Sequence, residues 1–242
     1  MRLDKLICEC GTLSRKEATA AIRAGQATLN GAVVREPDRK VDPACDAVTL
    51  CGAPLVYRKY IYAMLNKPAG YVSATDDRSL PYVLELFPPE YRKRGLFPVG
   101  RLDRDTTGLL VMTDDGQTAH RALSPRRHVE KVYSFTCESP LPANAEERFR
   151  LGLAIGEGEE CKPATLLPDE SRTAGTVTLT EGKYHQIKRM FERIGNKITS
   201  LKRESFAGIP LDPTLAPGAW RDLTEEEIKT LLAAAGTETP DE

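Results

Sequence analysis

Residues 100–110 of this 242-residue chain read Gly-Arg-Leu-Asp-Arg-Asp-Thr-Thr-Gly-Leu-Leu. Two acids and two arginines lie among turn-forming residues, and an apolar run follows directly, which predicts a charged loop leading into a β-strand. A carboxylate beside an arginine stays ionised at neutral pH, so Asp103 or Asp105 is available as a nucleophile or base. Either acid is equally able to cap a turn or form a surface ion pair, and residue types alone do not choose between these roles.

The patterns on both sides of this loop predict an α+β fold with a largely antiparallel mixed sheet. We expect strands at 61–65, 108–113, 133–138, 164–167 and 176–180. We expect helical segments at 82–86, 145–152 and 185–194. The domain that contains the charged loop is therefore predicted to extend over residues 59–232.

The residues before 59 predict a small separate α/β domain. Residues 1–22 read as two short helices, and the second is opened by Ser14 with Glu17 in the capping-box position. Short apolar runs at 27–29 and 32–34 flank Asn30-Gly31, which is the signal of a tight hairpin. We therefore predict domains at 1–58 and 59–232, and a flexible tail at 233–242 because that end is polar and contains proline.

The composition is that of an ordinary globular protein, with 40% hydrophobic and 29% charged residues. No window approaches 18 uninterrupted apolar residues and the first five residues carry charges, so we expect no membrane segment or signal peptide and a cytoplasmic location. The six cysteines lack the paired C-x-x-C spacing of a zinc site. We expect reduced thiols and no metal.

The net charge of −1 conceals an uneven distribution. Residues 222–242 hold seven acids against one lysine, so the rest of the chain is positive and able to attract phosphates locally. One basic cluster lies on the N-terminal helices, where a solvated helix face is the alternative interpretation: Arg2, Lys5, Arg15, Lys16 and Arg23. A second precedes the 133–138 strand: His120, Arg121, Arg126, Arg127, His128 and Lys131. A third comprises Lys197, Lys202 and Arg203.

The loop at 100–110 resembles the catalytic signature of the ribosomal-RNA pseudouridine synthases. In that family the first aspartate of the motif, here Asp103, is the indispensable catalytic residue. Arg101 resembles the arginine that intercalates beside or braces the flipped-out nucleotide. Asp105 then becomes the structural acid of the loop, and the resemblance decides what residue types left open.

Three further segments resemble the same family. Residues 64–70 resemble its opening strand and turn, and residues 130–133 resemble the strand whose tyrosine, here Tyr133, lies against the target uracil. Residues 182–190 resemble its third motif, in which the basic residue after His-Gln-aliphatic partners the aspartate. That position is Lys188, but many relatives have arginine there, so Arg189 stays open as the partner. The first fifty residues resemble the small RNA-binding domain named after the fourth protein of the small ribosomal subunit.

The resemblance implies a reaction without metal or cofactor, because converting uridine to pseudouridine changes neither composition nor oxidation state. The reaction needs an ionised carboxylate, a cation beside it, an aromatic platform and a means of extracting the base from its stack. The matching residues are Asp103, Lys188, Tyr133 and Arg101. The remaining substrate-binding residues that we expect in this domain are Arg126, Arg127, Lys131 and Arg189. Residue types leave open whether Asp103 attacks ribose, attacks uracil or abstracts a proton.

Within the family, the resemblance is closest to bacterial enzymes that act on 16S rRNA in an assembling small subunit. We therefore expect a monomer with ribosomal RNA as its partner. A large-subunit rRNA target is one alternative. A non-catalytic RNA-binding assembly factor is another, although it predicts a damaged Asp103 loop. A third is a hydrolase that uses Asp103 with Asp105.

Overall fold

The computed structural model describes residues 1–10, 13–156 and 158–237. The chain divides into one compact unit of Met1–Ile61 with Phe87–Leu96, and another of Tyr62–Leu86 with the residues from Phe97 onward. The segment Phe87–Leu96, which includes helix Pro89–Lys93, falls in the first unit although the sequence pattern assigned it to the second domain. Arg94 from this segment donates hydrogen bonds to the carbonyl oxygens of Arg58 and Lys59 at 3.2 and 3.0 Å.

The first unit packs two helices, α1 (Leu3–Glu9) and α2 (Arg15–Arg23), on a small sheet. The strands are β1 (Ala27–Leu29), β2 (Ala32–Val34), β3 (Val48–Leu50) and β4 (Ala53–Pro54), in the order β2-β1-β3-β4. The predicted capping box at Ser14 and Glu17 is present, because each side chain binds the other residue's backbone N–H. The predicted hairpin is confirmed, and β3 adds a third strand that pairs antiparallel with β1.

The second unit is built on a sheet of nine strands. In chain order they are β5 (Tyr62–Lys67), β6 (Phe97–Pro98), β7 (Thr107–Thr113), β8 (Lys131–Cys137), β11 (Thr165–Pro168), β12 (Ala174–Leu179), β13 (Ile198–Phe206), β14 (Ile209–Pro210) and β15 (Trp220–Asp222). The main path runs β11-β12-β8-β13-β7-β5-β15. A separate hairpin pairs β9 (Ala154–Gly156) with β10 (Glu159–Glu160). The predicted α+β fold with a largely antiparallel mixed sheet is confirmed.

Short helices connect these strands. They are a 3-10 turn at Val83–Leu86, α3 (Pro89–Lys93), α4 (Gly116–Leu123), α5 (Ala145–Leu151), α6 (Gln186–Arg193) and α7 (Glu225–Ala235). Helix α7 corrects the predicted tail at 233–242, because its buried Leu232 and Ala235 continue the apolar face past residue 232. Arg121 of α4 donates a hydrogen bond to the carbonyl oxygen of Gly236 at 3.1 Å. Residues 238–242 of the predicted tail lie outside the described residues.

Strands β7 and β13 form the parallel pair that positions the charged loop. Lys202 lies opposite Thr107 and Arg203 opposite Gly108, whereas the other pairings of the sheet are antiparallel. Parallel neighbours begin at the same edge of a sheet. The loop that precedes β7 and helix α6, which precedes β13, therefore meet at one edge.

Gly108 allows these two strands to approach each other. Its φ is +95°, a conformation that side chains rarely adopt. An added Cβ would overlap the backbone oxygen of Arg203 and lie 2.8 Å from its backbone nitrogen. Glycine is required at this position by both the backbone conformation and the space available.

Three negative findings apply to the described part of the chain. It contains no helix that is long and apolar enough to cross a membrane. Nor does it bring together three His, Cys, Asp or Glu side chains that are able to hold a metal ion. All six cysteines are free thiols, and two of them, Cys137 and Cys161, are buried.

We expect Gly108→Ala to lower the free energy of unfolding by about 2–5 kcal/mol, because the new methyl group both strains φ and forces β7 from β13. Urea unfolding followed by circular dichroism measures this loss. Gly116→Ala is the matched control, since Gly116 begins α4 with open space around it. Equal stability of the two variants would contradict the close approach described here.

Candidate active site

A cavity of about 990 Å³ opens in the second unit at the sheet edge where β7 and β13 begin. The charged loop forms one wall of this cavity, and the turn that leads into α6 forms another. The connection from α4 to β8 contributes a third, through Leu123, Ser124 and Pro125. The cavity is lined by Asp103, Tyr133 and Lys188. Asp103 and Lys188 are 85 residues apart in the sequence.

The charged loop is held from behind by Lys67, the last residue of β5. The Lys67 side chain is fully buried. Its ammonium group donates to the carbonyl oxygens of Asp103 at 3.0 Å, Arg104 at 3.2 Å and Thr106 at 2.9 Å, and also to that of Pro68 at 3.2 Å. One cation thus holds the loop backbone from Asp103 to Thr106.

Burial lowers the pKa of Lys67 to about 8, although the nearby carboxylates of Asp105 and Asp103 favour its charged form. No role for Lys67 is predicted by the sequence. In the sequence Lys67 stands out only as a charged residue that comes two positions after the apolar run 62–65 and directly before Pro68. A charge in such a place is buried only where acceptors surround it.

Asp103 and Asp105 share the ammonium group of Lys188. The Nζ atom lies 3.0 Å from Asp103 Oδ2 and 2.6 Å from Asp105 Oδ1. Burial alone would lower the pKa of Lys188, but hydrogen bonds to the two carboxylates outweigh it and raise the pKa. Burial likewise favours protonated Asp105, yet the bond to Lys188 lowers the pKa of that carboxyl overall. The Lys188 cation therefore lies in direct contact with both acids.

Arg189 is engaged elsewhere. Its Nη1 atom lies 2.6 Å from Glu159 Oε2 and also donates to the Tyr184 carbonyl oxygen at 3.2 Å. Its Nη2 atom donates to the carbonyl oxygen of Ile155 at 3.2 Å. The geometry brings Lys188 rather than Arg189 to Asp103, and Arg189 braces the turn before α6.

His185 is a second neighbour of Asp103 to which the sequence assigned no catalytic role. Its Nε2 atom lies 3.5 Å from Asp103 Oδ1. The residue has a positive φ of 48°, the left-handed conformation, directly before α6. Such backbone strain concentrates at functional sites. The His-Gln dipeptide at 185–186 was the only sequence signal for this contact.

The cavity floor carries one aromatic ring, the buried guanidinium of Arg203 and the partly buried ammonium of Lys131. Tyr133 on β8 and Arg203 on β13 are directly opposite each other, so both side chains lie on one face of the sheet. Lys131, two residues before Tyr133, shares that face. Burial, with repulsion from Arg203, lowers the pKa of Lys131 to about 8. The guanidinium of Arg203 lies 5.1 Å from the ring centroid of Phe206.

The third predicted basic cluster lies only partly on the surface, because one of its members, Arg203, is buried. Arg203 is 2% exposed, and its Nε donates to the Leu109 carbonyl oxygen at 2.6 Å. Lys202 pairs with Glu204 at 2.9 Å, and Lys197 pairs with Glu138 at 3.0 Å. Strand alternation with buried Leu201 was the signal that Arg203 points inward.

The other predicted RNA contacts lie on the surface. Arg101 is exposed at the cavity wall, and Arg126 and Arg127 are exposed in the turn after α4. In the first unit the five predicted cations are all exposed: Arg2, Lys5, Arg15, Lys16 and Arg23.

Buried Asp4 orients two of these exposed cations, Arg2 at 2.9 Å and Arg15 at 3.5 Å. Lys5 pairs with Glu9 at 3.4 Å. Three of the five thus have part of their charge balanced by an acid of α1.

Comparison with known proteins identifies the family to which each part of the chain is similar. Residues 61–193 match the RNA pseudouridylate synthase family, and residues 1–48 match the S4 domain. The chain belongs to the RNA pseudouridylate synthase family. The family resemblance of the 100–110 loop is thereby confirmed, and the chain is a pseudouridine synthase with an S4 domain at its N-terminus.

Relatives match this pseudouridine synthase over almost its whole length. Ribosomal small subunit pseudouridine synthase A of Escherichia coli K12 is 44% identical over 96% of this chain and 100% of its own. An RNA pseudouridine synthase of Bacillus subtilis strain 168 is 44% identical over 96% of this chain and 98% of its own. A crystal structure of a pseudouridylate synthase superposes with a TM-score of 0.68 at 38% identity, covering 96% of this chain and 99% of that one.

Lys67→Met should reduce both the stability and the activity of this synthase. The thioether cannot donate to the carbonyl oxygens that Lys67 binds, so buried acceptors lose their partner and we expect a loss of about 2–4 kcal/mol in unfolding free energy. Activity should fall even at temperatures where the variant is folded, because the Asp103 backbone is no longer held. Lys229→Met, at an exposed position on α7, is the control and should change stability by less than about 0.5 kcal/mol. A similarly small loss of stability in Lys67→Met would contradict the role of Lys67 in holding the loop backbone.

The lowered pKa of Lys67 predicts that the loss of stability in Lys67→Met depends on pH. The pKa of Lys67 is about 8 in the folded protein and about 10.4 when unfolded, so between these values the unfolded state binds more protons. Raising pH from 8 to 10 therefore removes the cost of burying the charge and stabilises the wild type. We expect the stability difference between wild type and Lys67→Met to widen by about 1–3 kcal/mol over this window. Urea titrations at several pH values test this, and a constant difference would refute it.

Proposed function

We propose that this protein isomerises a uridine of small-subunit (16S) ribosomal RNA to pseudouridine, with Asp103 as the essential carboxylate. The observation that carries the proposal is the Asp103 carboxylate on the cavity wall, held by Lys188 in a chain that belongs to the pseudouridine synthase family. The proposed setting is the bacterial cytoplasm. The proposed partner is RNA in an assembling small-subunit particle, bound by a monomer without metal or cofactor.

The geometry supports one role for each predicted catalytic residue. Attack on ribose, attack on uracil and proton abstraction all require a carboxylate at Asp103, and the ammonium of Lys188 lies 3.0 Å from its Oδ2 atom. Tyr133 is 8% exposed on the cavity floor, where a flat base would find a ring to lie against. Arg101 is exposed at the wall, where it would brace the strand from which the base has been extracted.

The two domains divide the work of holding the RNA. In this proposal residues 1–58 bind phosphates through Arg2, Lys5, Arg15, Lys16 and Arg23, while residues 59–232 hold the target nucleotide. Exposure of these five side chains supports the role. Phosphate contacts position RNA without identifying bases, so the choice of uridine falls to the cavity and its surroundings.

The relatives' names favour the small subunit as the target. The Escherichia coli relative named for that subunit aligns over 100% of its own length with 96% of this chain, so the alignment extends over both the S4 region and the synthase region of this chain. A large-subunit target is the alternative within the family. We assign the small subunit to this chain because the alignment extends over both domains.

The decisive variant is Asp103→Asn, with Asp105→Asn as its matched control. Purified protein is incubated with small-subunit and large-subunit rRNA or their precursor particles, and pseudouridine is mapped by carbodiimide-dependent primer extension. We expect one new stop in small-subunit RNA with wild type. Asp103→Asn should lower the rate by about 10²–10⁴-fold or more, because it removes the reacting carboxylate. Asp105→Asn, whose side chain is 73% exposed, should retain most activity because Lys188 still holds Asp103.

Other outcomes would each contradict a specific part. A stop confined to large-subunit RNA would support the pseudouridine synthase activity but contradict the small-subunit target. Equal loss in both variants would show that the two acids act together, as in the hydrolase alternative. RNA binding without any stop would overturn catalysis and favour an assembly factor.

A further inference from the structure

Tyr184 presents an aromatic ring at the rim of the cavity. It is 71% exposed, whereas Tyr133 on the floor is 8% exposed. Its ring stacks on that of His185, with centroids 3.9 Å apart and planes inclined by 16°. One face of the tyrosine is thus supported by the protein, and much of the side chain is open to solvent.

The backbone beneath this ring is held in place. The side chain of buried Gln186 accepts a hydrogen bond from Lys183 N at 2.9 Å and donates to Glu181 Oε1 at 2.7 Å. Arg189 donates to the carbonyl oxygen of Tyr184 at 3.2 Å and is itself paired with Glu159. The turn that exposes Tyr184 is therefore held by hydrogen bonds from the side chains of Gln186 and Arg189.

The supporting ring is connected to the reacting group. His185 lies within 3.5 Å of Asp103 through its Nε2 atom, and its left-handed backbone turns the imidazole between the carboxylate and the tyrosine. Both Tyr184 and His185 line the cavity. A flat ligand on Tyr184 would therefore lie beside the site at which the uridine reacts, but outside it.

We propose that Tyr184 and His185 form a stacking platform for an unpaired nucleobase that neighbours the flipped-out uridine. The proposal rests on the function proposed above and adds a second base to the site. Unstacked bases of single-stranded RNA segments stack on aromatic side chains, and such stacking tolerates any base because every base has a π-face. The target uridine itself is assigned to the interior, because Asp103 and buried Tyr133 lie there.

The platform offsets part of the cost of extraction. When a nucleotide leaves its stack, its neighbour loses one stacking partner, and this loss favours return of the flipped base. Tyr184 supplies a replacement surface at the place where the flipped base departs. It is a positioning residue in this scheme, so it should act on RNA affinity rather than on the chemical step.

Kinetics of Tyr184→Ala and Tyr184→Phe test the platform. With rRNA as substrate, Tyr184→Ala should raise KM by about 5- to 150-fold, the range for loss of one stacked base, while kcat stays within about threefold. Tyr184→Phe keeps the ring and should behave as wild type. Leu151→Ala, at another exposed apolar side chain, controls for general surface effects. The platform would be contradicted by an unchanged KM in Tyr184→Ala. It would also be contradicted if Tyr184→Phe raised KM as much as Tyr184→Ala does.

A fluorescence measurement decides the same question without turnover. The probes are two ten-nucleotide single-stranded RNAs with a central uridine, carrying 2-aminopurine directly before it in one and directly after it in the other. Wild type and Tyr184→Phe should quench one probe, and Tyr184→Ala should not. His185→Asn tolerates the left-handed backbone but removes the supporting ring, and should weaken the quench. Absence of quenching in wild type would refute the platform, whereas quenching without any modified RNA would refute only the proposed function.

Discussion

A single buried ammonium group determines whether this active site exists. Lys67 binds the backbone carbonyl oxygens of Asp103, Arg104 and Thr106, so the loop backbone is held although its own residues are mostly polar and turn-forming. The ammonium is fully desolvated, and burial of a charge is tolerated only because oxygen acceptors replace its water. The side chains of Asp103 and Asp105 are then directed outward to Lys188. Each of these ionic contacts depends on the backbone that Lys67 holds.

Sheet topology provides the second half of the site. Asp103 precedes β7 and Lys188 lies on the helix that precedes β13, and these two strands run side by side in the same direction. Their close approach at Gly108 brings the loop and the helix to one edge. A carboxylate and its cation that are far apart in sequence thus become neighbours through backbone pairing alone. Arg203 strengthens the junction by donating to the Leu109 carbonyl oxygen of β7.

The sequence predicted the elements that carry strong local patterns. The apolar run of β7, the hairpin after α2 and the capping box at Ser14 depend on neighbouring residues, and all three were found. The motif resemblance singled out Asp103 but did not separate Lys188 from Arg189, because both positions carry a cation on one short helix. Strand β13 was missed since Lys202, Arg203 and Glu204 interrupt its apolar alternation, and its bulges shift the register. The roles of Lys67 and Arg203 depend on carbonyl oxygens that only the folded chain supplies.

The parallel pairing of β7 with β13 also fixes when the site is assembled during synthesis. The chain emerges from the ribosome amino end first, so Asp103 appears long before Lys188 and before Ile198–Phe206 completes the pair. Contacts between such distant segments are slow to form because a long loop must close first. A nascent chain that ends before β13 therefore contains Asp103 and Lys188 but lacks the strand pairing that brings them together. Translation of more than four-fifths of the protein precedes the first functional site.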